Sequence, residues 1–217
     1  MNVLSFSEVG GHRHNEDSFV VEQHTDNREC WLCFLADGQG GQSGGGLASQ
    51  LACRIGSETA NTYSNDQLLD PLCWATILKT VDNAVLKDQQ AGYCTFIGMC
   101  LFRDQLVGVS CGDSAALLVG KNGAREVTSV QQKNPPIGSG GALPVTFEAE
   151  TDASCQILVM SDGVWKYVGM ERITSLAQQL RGENLVEELQ QLARLLGSGA
   201  FQDDFTIVVM DRSSSKS

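Results

Sequence analysis

Positive charge is scarce in this sequence. Across 217 residues, 15 Lys and Arg stand against 26 Asp and Glu, a formal charge of -11. Binding nucleic acid through counterion release requires a basic face. No Lys/Arg-rich tract supplies one, so DNA and RNA are not expected partners, and an anionic membrane surface is disfavoured for the same reason. Long apolar runs are also missing, since none approaches the roughly 20 residues of a spanning helix. No basic and then apolar leader opens the chain, so a cytoplasmic protein is expected. Internal repeats and low-complexity linkers are absent. What is present, 42% hydrophobic residues with only 19% charged, implies a globular domain with a real core rather than disorder.

The eight cysteines sit mostly inside apolar runs, Cys100 and Cys111 among them, where a reduced thiol behaves as a small buried hydrophobe. We expect free thiols. Cys30 and Cys33 form a CxxC pair, but no second pair or suitably spaced His completes a zinc site. On a strand these two positions point to opposite faces.

Short apolar, β-branched runs at 3–6, 18–22, 31–36, 95–102, 106–111, 115–119, 145–149, 157–160 and 205–210 predict strands. Helical periodicity appears at 47, 48, 51, 52 and 55, at 74, 77, 78, 81 and 85, at 173, 176, 177 and 180, and from 185 to 196. Strand clusters separated by helix pairs indicate an antiparallel α+β architecture with helices outside the sheets. One domain over 1–211 is expected, with 212–217 a disordered tail. Segment 133–143 holds two prolines and three glycines and reads as a loop, either a connector or a substrate contact.

The acids fall in a pattern. Asp37 follows the run 31–36, Asp113 follows 106–111, Asp162 follows 157–160, and Asp203 with Asp204 precedes 205–210. One such Asp is ordinarily a turn residue or helix cap. Four at the ends of buried strands, if the ends converge, would raise one another's pKa unless a cation compensates. Oxygen donors without His or Cys suit magnesium or manganese rather than zinc. Two such ions about 3.5–4 Å apart could generate a hydroxide and clamp a phosphoryl group, which predicts phosphoester hydrolysis. Six glycines in positions 37–46, ahead of a patterned helix, permit close backbone approach to a metal or its waters. No Gly-Lys-Ser/Thr follows, so this is not a Walker-type loop.

Five motifs, in order and spacing, resemble the type 2C metal-dependent serine/threonine protein phosphatases (the PPM family). They are Asn15-Glu16-Asp17, Ala36-Asp37-Gly38-Gln39-Gly40-Gly41, Gly112-Asp113-Ser114, Ser161-Asp162-Gly163-Val164-Trp165 and Asp203-Asp204-Phe205-Thr206. The likeness runs from about residue 10 to residue 210. It implies a four-layer α-β-β-α sandwich, two stacked antiparallel sheets flanked by helix pairs, with a dinuclear site.

The resemblance implies that Asp37 bridges two Mn2+ or Mg2+ ions and the Gly38 carbonyl binds one of them. Asp162 and Asp203 complete the first ion, Glu16 serves the second directly or through water, and Asp17 supports it. Many bacterial members bind a third ion through residues matching Asp113 and Asp162. Segment 133–143 falls where the family carries its flap. Three positions depart from the pattern. His12, followed by Arg13, stands where a phosphate-holding arginine is common, so Arg13 and His12 are the candidate phosphate ligands. Gln39 replaces the histidine assigned as general acid in eukaryotic members, as in many bacterial relatives. Lys166 stands where some relatives carry an aspartate for the third ion. His12 and His14 beside the acids are either a proton donor or a surface pair, and His24, in a polar turn, is expected to be solvated.

The implied activity is hydrolysis of phosphoserine and phosphothreonine in proteins by a metal-bound hydroxide, in a monomer working opposite a cognate serine/threonine kinase. The alternatives are a catalytically impaired phosphoprotein-binding module and a phosphatase of small phosphorylated molecules. Retention of every expected carboxylate favours the enzyme.

Overall fold

In the computed structural model, residues 1–39, 44–121 and 123–213 are described. Gly40 and Gly41 of the glycine-rich stretch, and 214–217 of the expected tail, lie outside them. The chain divides into two compact units, one of residues 16–114 and 128–150, the other of 1–15, 115–127 and 151–217.

The first unit is a five-stranded antiparallel sheet. Its strands are β2 (Asp17–His24), β3 (Asn27–Asp37), β4 (Phe96–Phe102), β5 (Gln105–Cys111) and β8 (Val145–Glu150), paired in that order. β4 is buried at every position, which is why it reads as a continuous apolar run rather than an alternating one. Along β3, Cys30, Leu32, Phe34 and Ala36 join the core under two helices, α1 (Gly45–Ala60) and α2 (Pro71–Lys87). Cys33 and Leu35, on the opposite face, are as deeply buried. The CxxC cysteines thus point apart, and all eight thiols are free.

Small residues let α1 lie close on this sheet: Ala48, Ala52, Gly56 and Ala60 are buried at four-residue spacing. A methyl group on Gly56 would stand 2.9 Å from the Phe96 ring. α2 starts with Pro71 at its first position and the Asp70 side chain accepting from Leu72 N–H at 2.9 Å. It buries Trp74, Ile77, Leu78, Val81 and Val85, and the Trp74 indole donates to the Leu68 carbonyl in a short 3₁₀ turn, Gln67–Leu69.

The second unit is also a five-stranded antiparallel sheet. Its order is β1 (Asn2–Glu8), β10 (Phe205–Asp211), β9 (Gln156–Met160), β6 (Ala115–Gly120), β7 (Gly123–Glu126). Helices α3 (Asp162–Val168), α4 (Met170–Gln179) and α5 (Gly182–Ala193) share its core, with Val164, Ile173, Ala177, Leu185 and Leu189 packed against Leu158, Phe205 and Ile207.

All nine expected strands form. β7, an edge strand of sequence Gly-Ala-Arg-Glu, was not expected, because it has too little apolar character to register. Two residues of the expected tail are held: Arg212 donates to Thr151 Oγ1 at 2.7 Å, and Ser213 N–H donates to Asp211 at 2.8 Å. Among the described residues no helix is long and apolar enough to cross a membrane.

Candidate metal and phosphate site

The first unit carries Glu16, Asp17, Asp37, Gly38 and Asp113. Asp17 opens β2 and Asp37 closes β3, and the antiparallel register sets them directly opposite each other. Like charges in opposed positions destabilise a sheet unless positive charge comes between them. Both carboxylate oxygens of Asp17 and Oε2 of Glu16 are buried. Gly38 follows at a point of close approach: its N–H donates to the Glu16 carbonyl at 3.1 Å, and a side chain there would collide with the Gly45 backbone at 2.4 Å. Only glycine fits. Ser49 Oγ, in the first turns of α1, also donates to the Glu16 carbonyl, at 2.5 Å.

Thr95 ties these pieces together. Its N–H donates to the Asp37 carbonyl at 2.8 Å and its Oγ1 accepts from Asp37 N–H at 2.9 Å. The same Oγ1 lies 2.7 Å from Ser114 Oγ. Gly112 (φ 126°) turns the chain out of β5 beside the Thr95 side chain. Asp113 follows, and its Oδ2 receives Lys133 Nζ at 2.5 Å. Sequence reasoning passed over Thr95 and Lys133. The Ser114 of the Gly-Asp-Ser motif was the available clue to the first.

The second unit carries His12, Arg13, Asp162 and Asp203. Backbone contacts that only glycines allow bring three of its segments together. A side chain at Gly10 would meet the Asp203 carbonyl at 2.0 Å, and one at Gly163 would meet the Asp204 carbonyl at 2.0 Å. Asp204 is buried and accepts from Gly10 N–H at 2.8 Å, which ties this junction together. Ser161 Oγ donates to the Asp204 carbonyl at 3.2 Å, just ahead of Asp162 at the start of α3. His12 Nε2 sits 3.2 Å from Asp203 Oδ1, and Lys166, one turn along α3, binds Asp162 Oδ2. Arg13 and His14 are exposed.

His24 differs from expectation. It is 1% exposed, with Nε2 3.0 Å from the Tyr63 carbonyl and Nδ1 accepting from Asp26 N–H. A carbonyl distant in sequence satisfies the ring, which turn chemistry alone does not reveal.

Among the described residues no three His, Cys, Asp or Glu side chains form a ready-made metal cluster. Within each unit, however, the donors fit a hard divalent cation, since they are carboxylates with one backbone carbonyl and no thiolate. Asp113 and Asp162 already each draw an ammonium group.

These features define a class: an α+β protein of two antiparallel sheets whose strand ends carry acidic, oxygen-only donors. The model of the stage II sporulation protein E (SpoIIE) family matches residues 27–213, and the chain belongs to that family, a type 2C grouping as the motifs predicted. Among solved structures, the Mycobacterium tuberculosis serine/threonine phosphatase PstP/Ppp is similar with a TM-score of 0.80 at 20% identity, over 98% of this chain and 99% of that one. A bacterial serine phosphatase matches with a TM-score of 0.78 at 19% identity, over 100% of both chains. The catalytic domain of PstP in complex with two manganese ions gives 0.76 at 23% identity, over 97% of each. At such identities the likeness shows the fold. No curated protein sequence matches.

Proposed function

We propose that this protein is a metal-dependent protein serine/threonine phosphatase and that residues 1–211 act as one catalytic domain. The observation that carries the reading is retention: the acids of all five motifs are present at strand and helix ends, four of the motifs within the family match over 27–213 and Glu16 and Asp17 ahead of it. Asp37, Gly38, Asp162 and Asp203, with Glu16 and Asp17, would hold two Mn2+ or Mg2+ ions, and Asp113 would serve a third. The similarity to a phosphatase domain in complex with two manganese ions supports that choice. When bound, such ions activate water and neutralise phosphoryl oxygens.

The protein's own groups do the rest. Thr95 fixes the backbone of Asp37 from both sides, so the carboxylate is presented at a set angle. Gly10, Gly163 and Asp204 hold Asp162 and Asp203 on adjoining backbone segments. Arg13, exposed, would meet substrate phosphate, while His12 orients Asp203. Gln39 cannot donate a proton at neutral pH, so the leaving alkoxide takes its proton elsewhere. The substrate in this reading is a phosphoprotein supplied by a serine/threonine kinase, in the cytoplasm.

Hydrolysis of p-nitrophenyl phosphate and of a phosphothreonine peptide, with and without manganese, tests this. The wild-type chain should turn over both with metal, and Asp37→Ala should lose roughly 100-fold or more. Metal-independent or absent turnover would refute it. Cleavage of the nitrophenyl ester alone would favour a phosphatase of small molecules.

A further inference from the structure

In α2, Asp82 occupies a position in the stripe otherwise filled by Trp74, Ile77, Leu78, Val81 and Val85, and it is 4% exposed. A buried carboxylate in an apolar stripe is costly unless hydrogen bonds replace its water. Here they come from one loop. Oδ1 accepts from Gly138 N–H at 2.7 Å and from Gly140 N–H at 3.1 Å, and Oδ2 accepts from Ala142 N–H at 3.1 Å. Gly138 (φ 95°) and Gly140 (φ 74°) adopt the left-handed backbone that lets alternate N–H groups converge on one anion. The helix thus holds the loop by its backbone, whatever its side chains.

The held loop is joined to the strand end that carries Asp37. Ile137 and Cys94 exchange both backbone hydrogen bonds, at 3.1 and 3.2 Å, and Cys94 bridges in turn to Gly38. Gln39 N–H donates to the Tyr93 carbonyl at 2.8 Å. Gly138 also forms part of the wall of an open cavity of about 570 Å³, shared with Leu86, Gln89, Gln90, Tyr93 and Val85. Its lining mixes an aromatic ring, aliphatic side chains and amides, the chemistry that receives a peptide side chain and its backbone.

We propose that Asp82 is a positioning residue: by holding the loop 138–142, and with it Gly138 in the wall of this cavity next to the Asp37 strand end, it sets how tightly the polypeptide flanking a phosphorylated residue is bound. This rests on the phosphatase reading for the identity of the ligand. The clasp itself does not depend on it.

The test uses the full chain with Asp82→Ala and Asp82→Asn. The Asn variant keeps the shape and one acceptor oxygen but turns an amide N–H₂ toward Ala142 N–H, so it reports even if the Ala variant does not fold. Amide hydrogen exchange at 138, 140 and 142 should accelerate roughly tenfold or more in the Ala variant and less in the Asn variant, with the core strands unchanged. The Kd for a non-hydrolysable phosphonate peptide should rise roughly fivefold, while the KM for p-nitrophenyl phosphate, which has no flanking peptide, stays at the wild-type value. Unaltered exchange at those amides would overturn the clasp. Faster exchange with unchanged peptide affinity would overturn its role in binding, as would a general loss of protection or an equal weakening for both ligands. If the wild-type chain hydrolyses nothing, the phosphatase reading falls on its own, because the exchange and phosphonate-peptide measurements need no turnover.

Discussion

The Asp37 N–H and the Ser114 hydroxyl both meet the hydroxyl of Thr95, so one side chain links two of the five motifs. Thr95→Val keeps the shape and removes the acceptor. It should cost about 1–3 kcal/mol in urea unfolding, the penalty for a buried donor left unpaired, and Thr95→Ser should recover most of it. A Val variant as stable as wild type would show that this hydroxyl does not secure Asp37. The acids themselves were legible because four of them recur at the ends of apolar runs. Thr95 was not, since a Thr beside a strand satisfies ordinary β propensity and signals nothing more. Asp82 was hidden for the opposite reason: a helical stripe reads through a single polar position, and its partners lie 56 to 60 residues away.

Central strands were the most legible elements, because burial on both faces makes β4 an unbroken apolar run and leaves β5 and β10 with few polar positions. The misses, β7 and α3, are short, and α3 opens with Asp162-Gly163, which reads as a turn. The same burial controls the thiols these elements carry. Burial pushes Cys53 of α1 up to about 12 and Cys111 of β5 up to about 11, and it also raises Cys33 of β3 and Cys94 well above the ordinary 9.0. Above that ordinary value an unfolded chain gives up protons that the folded chain keeps, so alkali favours unfolding. The urea midpoint should therefore be highest below about pH 8.5 and fall as pH rises toward about 10. A flat profile over that range would contradict the burial of these thiols. At the acid end the sign reverses for Glu8, whose carboxyl the Arg194 hydrogen bond holds below its usual value, so that contribution is lost as pH falls.

For the whole molecule, the charge of -11 is uneven. Seven of the 26 acids (Glu16, Asp17, Asp37, Asp113, Asp162, Asp203 and Asp204) belong to the five motifs, and the other 19 nearly balance the 15 basic residues. Divalent ions bound there should stabilise the fold by about 2.7 kcal/mol at 100 times their Kd, seen as a rise in the urea midpoint that equivalent monovalent salt does not reproduce. No such rise would mean these carboxylates do not bind metal. The two-unit division was not legible in the sequence, because one unit gathers three separated stretches and local pattern carries no sign of that. The order of the motifs, by contrast, pointed to the family directly.

The most direct measurement is the initial rate of phosphate release from a phosphothreonine peptide by chelator-stripped protein as manganese is added back. The account predicts a rate at background without metal, saturable recovery with it, and loss again on chelation. A rate indifferent to manganese would contradict it.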